Sequence, residues 1–168
     1  MLKVNKRIGV FETNSSSSHS VSVAMAENDK VLKCHLDVTE EDGEKIIYIE
    51  PGEFEWETES YSDAETKLSY LITYLFEFVK KDNIHLSLLH NLGTEKKELY
   101  DKLERIVCDF CDADRISVCS INNSWNPFGS IDHQSTDVAI NVLNEDDDYI
   151  LNFIFNPNSV LYTDNDNH

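Results

Sequence analysis

Glycine is scarce in this chain, five in 168 residues, and none of the five stands in a G-x-G-x-x-G or G-x-x-x-x-G-K-[ST] arrangement. That excludes the two common backbone cradles for phosphate, the dinucleotide fingerprint and the P-loop. No G-x-S-x-G elbow and no H-E-x-x-H pair occurs either. No motif calls for a cofactor. Positive charge is the second shortage: 14 Lys and Arg stand against 32 Asp and Glu, for a net charge of −18. The only dense basic cluster is Lys3, Lys6 and Arg7. A phosphate backbone approaching such a surface is repelled, so direct nucleic-acid binding is not expected.

Long apolar runs are also lacking. None is long enough to span a bilayer, which predicts no transmembrane helix and no membrane partner. The N-terminal MLKVNKRIG is charged and no hydrophobic region follows it, which predicts no secretory signal. Four cysteines (Cys34, Cys108, Cys111, Cys119) in a chain without an export signal predict reduced thiols and a cytoplasmic location.

What is present suits folding. Forty per cent of the residues are hydrophobic, and two Trp, seven Tyr and eight Phe can fill a core, which excludes a disordered chain. With no break in composition, residues 1–168 are expected to form a single domain. Alternating apolar residues predict strands over 18–25 and 31–38, then 46–50 after the turn signal Asp42-Gly43. Ser62 is placed to cap a helix, with Asp63 and Glu65 in its first turn. Its amphipathic stripe runs Leu68, Leu71, Ile72, Leu75, Phe76, Val79 and ends near Lys80-Lys81. A second helix starts at Thr94 after Gly93, with Leu99, Leu103, Ile106, Val107 and Phe110 on its stripe. A strand over 115–121, short helices over 136–143 and 147–155, and a last strand in SVLYT complete the order. The class is α+β, a mainly antiparallel sheet packed against two longer helices and two short ones.

Two features invite chemistry and resolve into plainer readings. Cys108-Asp-Phe-Cys111, with Cys119 and Cys34-His35, has the makings of a zinc quartet. Cys111, however, follows Leu103 and Val107 on the apolar stripe, where a cysteine acts as a small hydrophobe, and no second C-x-x-C is present. No metal site is expected. The acids gather in residues 40–65 and in NEDDDY at 144–149. They form either a solvated acidic surface or one that occupies a basic groove on a partner. Glu53, Glu55, Glu57 and Glu59 would share one face if that stretch were a strand.

Three polar clusters remain: TNSSSSHS (13–20), SIDHQSTD (130–137) and NPNSVLYTDNDN (156–167). Singly, they suit a serine loop, a helix cap and a frayed terminus. Together they supply two histidines, hydroxyls, amides and carboxylates. His19, His133, Ser135 and Asp132 could handle protons on a phosphoester. Asn14, Ser16, Ser17, Ser18, Asp164, Asn165 and Asp166 would bind the ligand. His133-Gln134-Ser135 has the H-x-[ST] form of two-histidine phosphodiesterases, whereas His19-Ser20-Val21-Ser22 misses that spacing by one.

The run RIGVFETNSSSSHS at 7–20 resembles the opening of a group of small bacteriophage and mobile-element proteins, and FIFNPNSVLYTDNDN at 153–167 is similar to their shared ending. Residues 26–129 carry no part of the resemblance. It implies origin rather than mechanism: an accessory phage protein in the host cytoplasm, for counter-defence or host takeover. Two functions follow. One is a polar pocket that binds or processes a nucleotide or phosphoester. The other is a non-catalytic acidic inhibitor of a host protein's nucleic-acid-binding groove.

Overall fold

The computed structural model describes residues 7–8, 19–25, 32–54, 59–77, 92–120, 127–131 and 136–165. The fold is α+β, as expected. Nine strands and four helices follow in the order β1 (Arg7–Ile8), β2 (His19–Ala24), β3 (Thr39–Glu41), β4 (Glu44–Ile49), β5 (Glu53–Phe54), β6 (Glu59–Tyr61), α1 (Ala64–Phe76), α2 (Thr94–Cys111), β7 (Arg115–Val118), β8 (Ser130–Ile131), α3 (Thr136–Asn144), α4 (Asp147–Phe155) and β9 (Val160–Asn165) among the described residues. The largest sheet is antiparallel, in the order β1-β2-β9-β6. A three-stranded sheet, β3-β4-β7, joins an antiparallel hairpin to a parallel pair, and β5-β8 is a two-stranded parallel sheet.

Helix α1 is the hub, packed against α2, α3, α4, β4 and β8. The expected amphipathic stripe is corrected here: residues 67–76 are buried without interruption. Leu68, Leu71, Ile72, Leu75 and Phe76 bury as their spacing predicts, each worth roughly 1.5–3 kcal/mol. The polar residues between them are tolerated because each finds a partner inside. Ser69 Oγ donates to Glu50 O at 2.6 Å, and Thr73 Oγ1 donates to Ser69 O at 2.8 Å while accepting from Gly52 N at 2.9 Å. The helix is capped by Asp63, one residue after the expected Ser62, with Asp63 Oδ1 accepting from Thr66 N at 2.7 Å. Glu77 is the C-cap; the expected end at Lys80-Lys81 lies outside the described residues.

Asp42 and Gly43 both take positive φ, 51° and 85°, the turn that the Asp-Gly pair favours. The turn closes a hairpin of β3 on β4, with Glu41 opposite Glu44. The strand expected over 31–38 is corrected. Leu32, Cys34 and Leu36 alternate half-buried against the core, yet 32–38 joins no ladder. Instead Lys33 N and Cys34 N both donate to Phe155 O, at 3.0 and 2.9 Å. An alternating pattern reports a half-buried surface and not a pairing partner.

The row Glu53–Glu59 is not one strand either. Glu53 lies in β5 beside β8, and Glu59 lies in β6 beside β9, while Glu55 and Glu57 fall outside the described residues. The rings of Phe54 and Tyr61 make the reason plain. Their centroids are 6.1 Å apart, whereas seven residues of continuous strand would separate them by about 23 Å. Burial of Phe54 against Tyr61 and Tyr70 folds the chain back on itself.

The remaining helices and strands follow the expected order with small shifts. Helix α2 starts at Thr94, and β7 is four residues long, shorter than the expected 115–121. On α2 the buried face is Tyr100, Leu103, Ile106, Val107 and Cys108; Phe110 stays partly exposed, its ring 4.2 Å from that of Phe155. Helices α3 and α4 appear as expected, the latter capped by Asp146 and followed by Asn156 as its C-cap. Strand β9 runs past SVLYT into Asp164 and Asn165.

Candidate functional site

Strands β2 and β9 bring the first and third polar clusters together. The register sets His19 opposite Asn165 and Ser20 opposite Asp164, after Val21 opposite Thr163. Two stretches almost 150 residues apart in sequence thereby become neighbours. Antiparallel partners sit about 4.5–5.5 Å apart, so the register sets these positions side by side in the ladder. The apolar pairs anchor this ladder: Val21, Val23 and Leu161 are buried in the core, and Thr163 with them. Glu59 N of β6 donates to Thr163 Oγ1 at 3.2 Å, fastening the third strand at the same level. The third cluster is therefore no frayed end where it is described: Asp164 and Asn165 are ladder residues.

The start of β9 is fixed from inside. Asn156 and Ser159 are fully buried, and their carbonyl oxygens each accept from Lys67 Nζ at 3.0 Å. Asn156 Oδ1 also accepts from Asn158 N at 2.9 Å, and its Nδ2 donates to Asn152 Oδ1 at 2.8 Å. Lys67 is itself fully buried, and burial lowers its ammonium pKa to about 8. A buried amine capping the turn before β9 holds the strand that carries Asp164 and Asn165.

Of the second cluster only the borders are described. Ile131 ends β8, and Thr136 opens α3, which packs against β2. Asp132, His133 and Ser135 lie between them, outside the described residues, as do Asn14, Ser16, Ser17, Ser18 and Asp166. The junction of His19 and Ser20 with Asp164 and Asn165 is the part of the expected site that the structure brings together.

The cysteines are free thiols: Cys108 is buried in the core, Cys34 and Cys111 pack against it half-buried, and Cys119 is half-buried. Burial pushes Cys108 and Cys111 on α2 up to about 11, which keeps them protonated and poorly nucleophilic near neutral pH. Among the described residues no group of three or more His, Cys, Asp or Glu is placed to hold a metal ion. Cys34 Sγ donates to Ser62 O at 3.4 Å.

Most cations of the described surface are already engaged. Lys45 pairs with Asp112, Lys97 with Asp101 at 2.6 Å, Arg105 with Asp147 at 3.0 Å and Arg115 with Glu44 at 3.2 Å. Lys102 donates to Leu143 O and Glu145 O. The acidic surplus is correspondingly uncovered.

Two functional candidates escaped sequence reasoning, Glu77 and Lys96. The Glu77 side chain is 6 % exposed, and its Oε1 has no hydrogen-bond partner. The available signal was an acid inside an apolar run, Leu75-Phe76-Glu77-Phe78-Val79. Lys67 was equally hidden, a lysine next to Leu68 in a helix read as amphipathic.

Comparison of the chain with protein-family models, with curated proteins and with solved structures gives no match. Among the described residues no helix is long and apolar enough to cross a membrane.

Proposed function

We propose that this chain is a phage-encoded accessory protein, a counter-defence or host-takeover factor of the host cytoplasm, whose polar site binds or processes a nucleotide or phosphoester. The observation that supports this most is the β2–β9 register, with His19 opposite Asn165 and Ser20 opposite Asp164. The two segments that resemble phage proteins are the two that this ladder joins. In a molecule of charge −18, a bound phosphate needs local compensation, and imidazolium groups with hydroxyl and amide donors supply it. His19 and His133 take that role, with Ser135 and Asp132 beside His133 and with Asn14, Ser16, Ser17, Ser18, Asp164, Asn165 and Asp166 as further ligand contacts.

Calorimetric titration of a panel of nucleoside mono- and diphosphates tests the reading. Wild type binds at least one of them, more tightly at pH 6 than at pH 8, and His19→Ala or His133→Ala removes most of the binding without unfolding. A wild type that binds none, or folded histidine variants that bind as well as wild type, would overturn it.

The engaged cations favour a second reading, a non-catalytic acidic inhibitor seated in a basic groove of a host protein. Its binding would weaken steeply with salt. Replacing Glu53, Glu55, Glu57 and Glu59 by glutamine would remove function under this reading and leave it intact under the first.

A further inference from the structure

The sheet β3-β4-β7 has two outer strands, and the fold treats their free sides differently. Along β7, helix α2 covers the backbone. Ile116 N donates to Glu104 Oε1 at 3.0 Å, and Ile116 O accepts from the Tyr100 hydroxyl at 3.2 Å. Both groups that a further strand would use there are occupied. Along β3, no strand among the described residues pairs with the outer side, and Thr39, Glu40 and Glu41 are all exposed.

The turn sets which groups that open edge presents. In a hairpin closed by two residues, the flanking pair exchanges hydrogen bonds and the next pair does not. Glu41 and Glu44 flank Asp42-Gly43, and the next pair is Glu40 opposite Lys45. The N–H and C=O of Glu40 therefore point away from β4, toward whatever lies beside β3.

The side chains restrict what that neighbour can be. Lys45 is engaged by Asp112, and Arg115 by Glu44 at 3.2 Å. Among the described residues no cation forms a salt bridge with Glu40, Glu41 or Asp42. Glu41 Oε2 accepts instead from the Tyr48 hydroxyl at 2.8 Å. Tyr48, and Val38 just before β3, are two of the four large hydrophobic side chains exposed among the described residues, so the edge also offers apolar contact. A second copy of this chain is a poor neighbour, because pairing two β3 edges would set glutamates beside glutamates. A short edge bearing acids repels its own kind and admits a strand of opposite charge.

We propose that the β3 edge is a docking strand for a basic extended segment of a partner protein, which pairs with the Glu40 backbone and sets Lys or Arg beside Glu40 and Glu41. Main-chain hydrogen bonds add the segment to the sheet, and the carboxylates select its charge. The inference goes beyond both readings above, since none of these residues belongs to the polar site or to the Glu53–Glu59 row.

Nuclear magnetic resonance of the whole chain tests it, with a short capped peptide of alternating Lys and Val as the probe. The peptide should bind wild type, protect the Glu40 amide from hydrogen exchange, and bind more weakly as salt is raised. The same peptide N-methylated throughout keeps its charge but cannot pair, and it should not bind. A peptide of alternating Glu and Val should not bind either. Glu40→Gln combined with Glu41→Gln should weaken binding about tenfold, the loss of two exposed ion pairs. Binding that leaves the Glu40 amide unprotected, equal binding of the N-methylated peptide, or no binding at all overturns the proposal. So does Glu40 protection that appears without peptide and grows with protein concentration, the mark of a second copy. The wild-type titrations alone decide, even if the double variant fails to fold.

Discussion

The two ends of α1 bury opposite charges in opposite ways. Lys67, in the first turns, is enclosed completely, and its ammonium is spent on two carbonyl oxygens at 3.0 Å. Glu77, at the other end, is almost as deeply enclosed but keeps one oxygen without a partner and its cation at 3.9 Å. The first end is a finished structural joint between α1 and the turn before β9. The second is a joint left electrically open. Burial alone therefore does not say what a charged residue is for; the account of its hydrogen bonds does.

The largest expected effect strikes the frame that holds both ends. In the last turn of α1, Thr73 Oγ1 accepts from Gly52 N, and Gly52 O accepts from Ser130 N at 3.0 Å. Gly129 sits at φ 71°, where a Cβ would lie 2.0 Å from Gly52 O. Gly129→Ala should cost about 4 kcal/mol or more, read by chemical denaturation, since both the backbone conformation and the close approach forbid a side chain. A variant of wild-type stability would mean that β5 and β8 do not meet as described.

Next comes the closed end. Lys67→Ala withdraws the donor shared by Asn156 O and Ser159 O and leaves a void, for a loss of about 3 kcal/mol. A loss near zero would show that the ammonium is not the joint, and the contrast between the ends would vanish.

Glu77→Gln should have the opposite sign. The folded pKa of Glu77 is raised above its unfolded value, so the folded state binds more protons between the two. Its contribution to stability therefore falls as pH rises through that window. The glutamine variant should be more stable than wild type at neutral pH by about 1 kcal/mol, and the gain should shrink on acidification. A destabilised variant at neutral pH would make Glu77 a structural joint like Lys67.

The smallest effect is a slope. Lys67 has its folded pKa lowered to about 8 against 10.5 in the unfolded chain, so the unfolded state binds the extra proton between those values. Its contribution to stability should rise across that interval. The difference between wild type and Lys67→Met, followed by denaturation midpoints from pH 7.5 to 10.5, isolates it, and a flat difference would contradict the lowered pKa.

Much of the element order was legible locally. Asp42-Gly43 specifies its own turn, Asn156-Pro157 stops α4, and the spacing of Leu68, Leu71, Ile72 and Leu75 marks a helix wherever it packs. Strands β5 and β8 were not legible, because two residues carry no period and only their mutual pairing defines them. The parallel pairing of β4 with β7 was hidden for a related reason: it joins Ile46 to Arg115 across both long helices. Of the candidate site, the residue types at His19, Ser20, Asp164 and Asn165 were visible, but their adjacency was not.

By itself, the sequence determined what short-range chemistry decides: the α+β class, the positions of most helices, the Asp-Gly turn and a strongly acidic surface. Helical period, capping and turn preference act within a few residues, and charge simply sums. Only the tertiary structure decided that α1 is buried all round from Lys67 to Phe76, that 32–38 alternates without pairing, and that β2 and β9 bring two polar clusters side by side. It also decided which buried charge is satisfied, Lys67, and which is left open, Glu77. Those outcomes depend on which distant backbone groups arrive within hydrogen-bonding reach, and no local pattern encodes that distance.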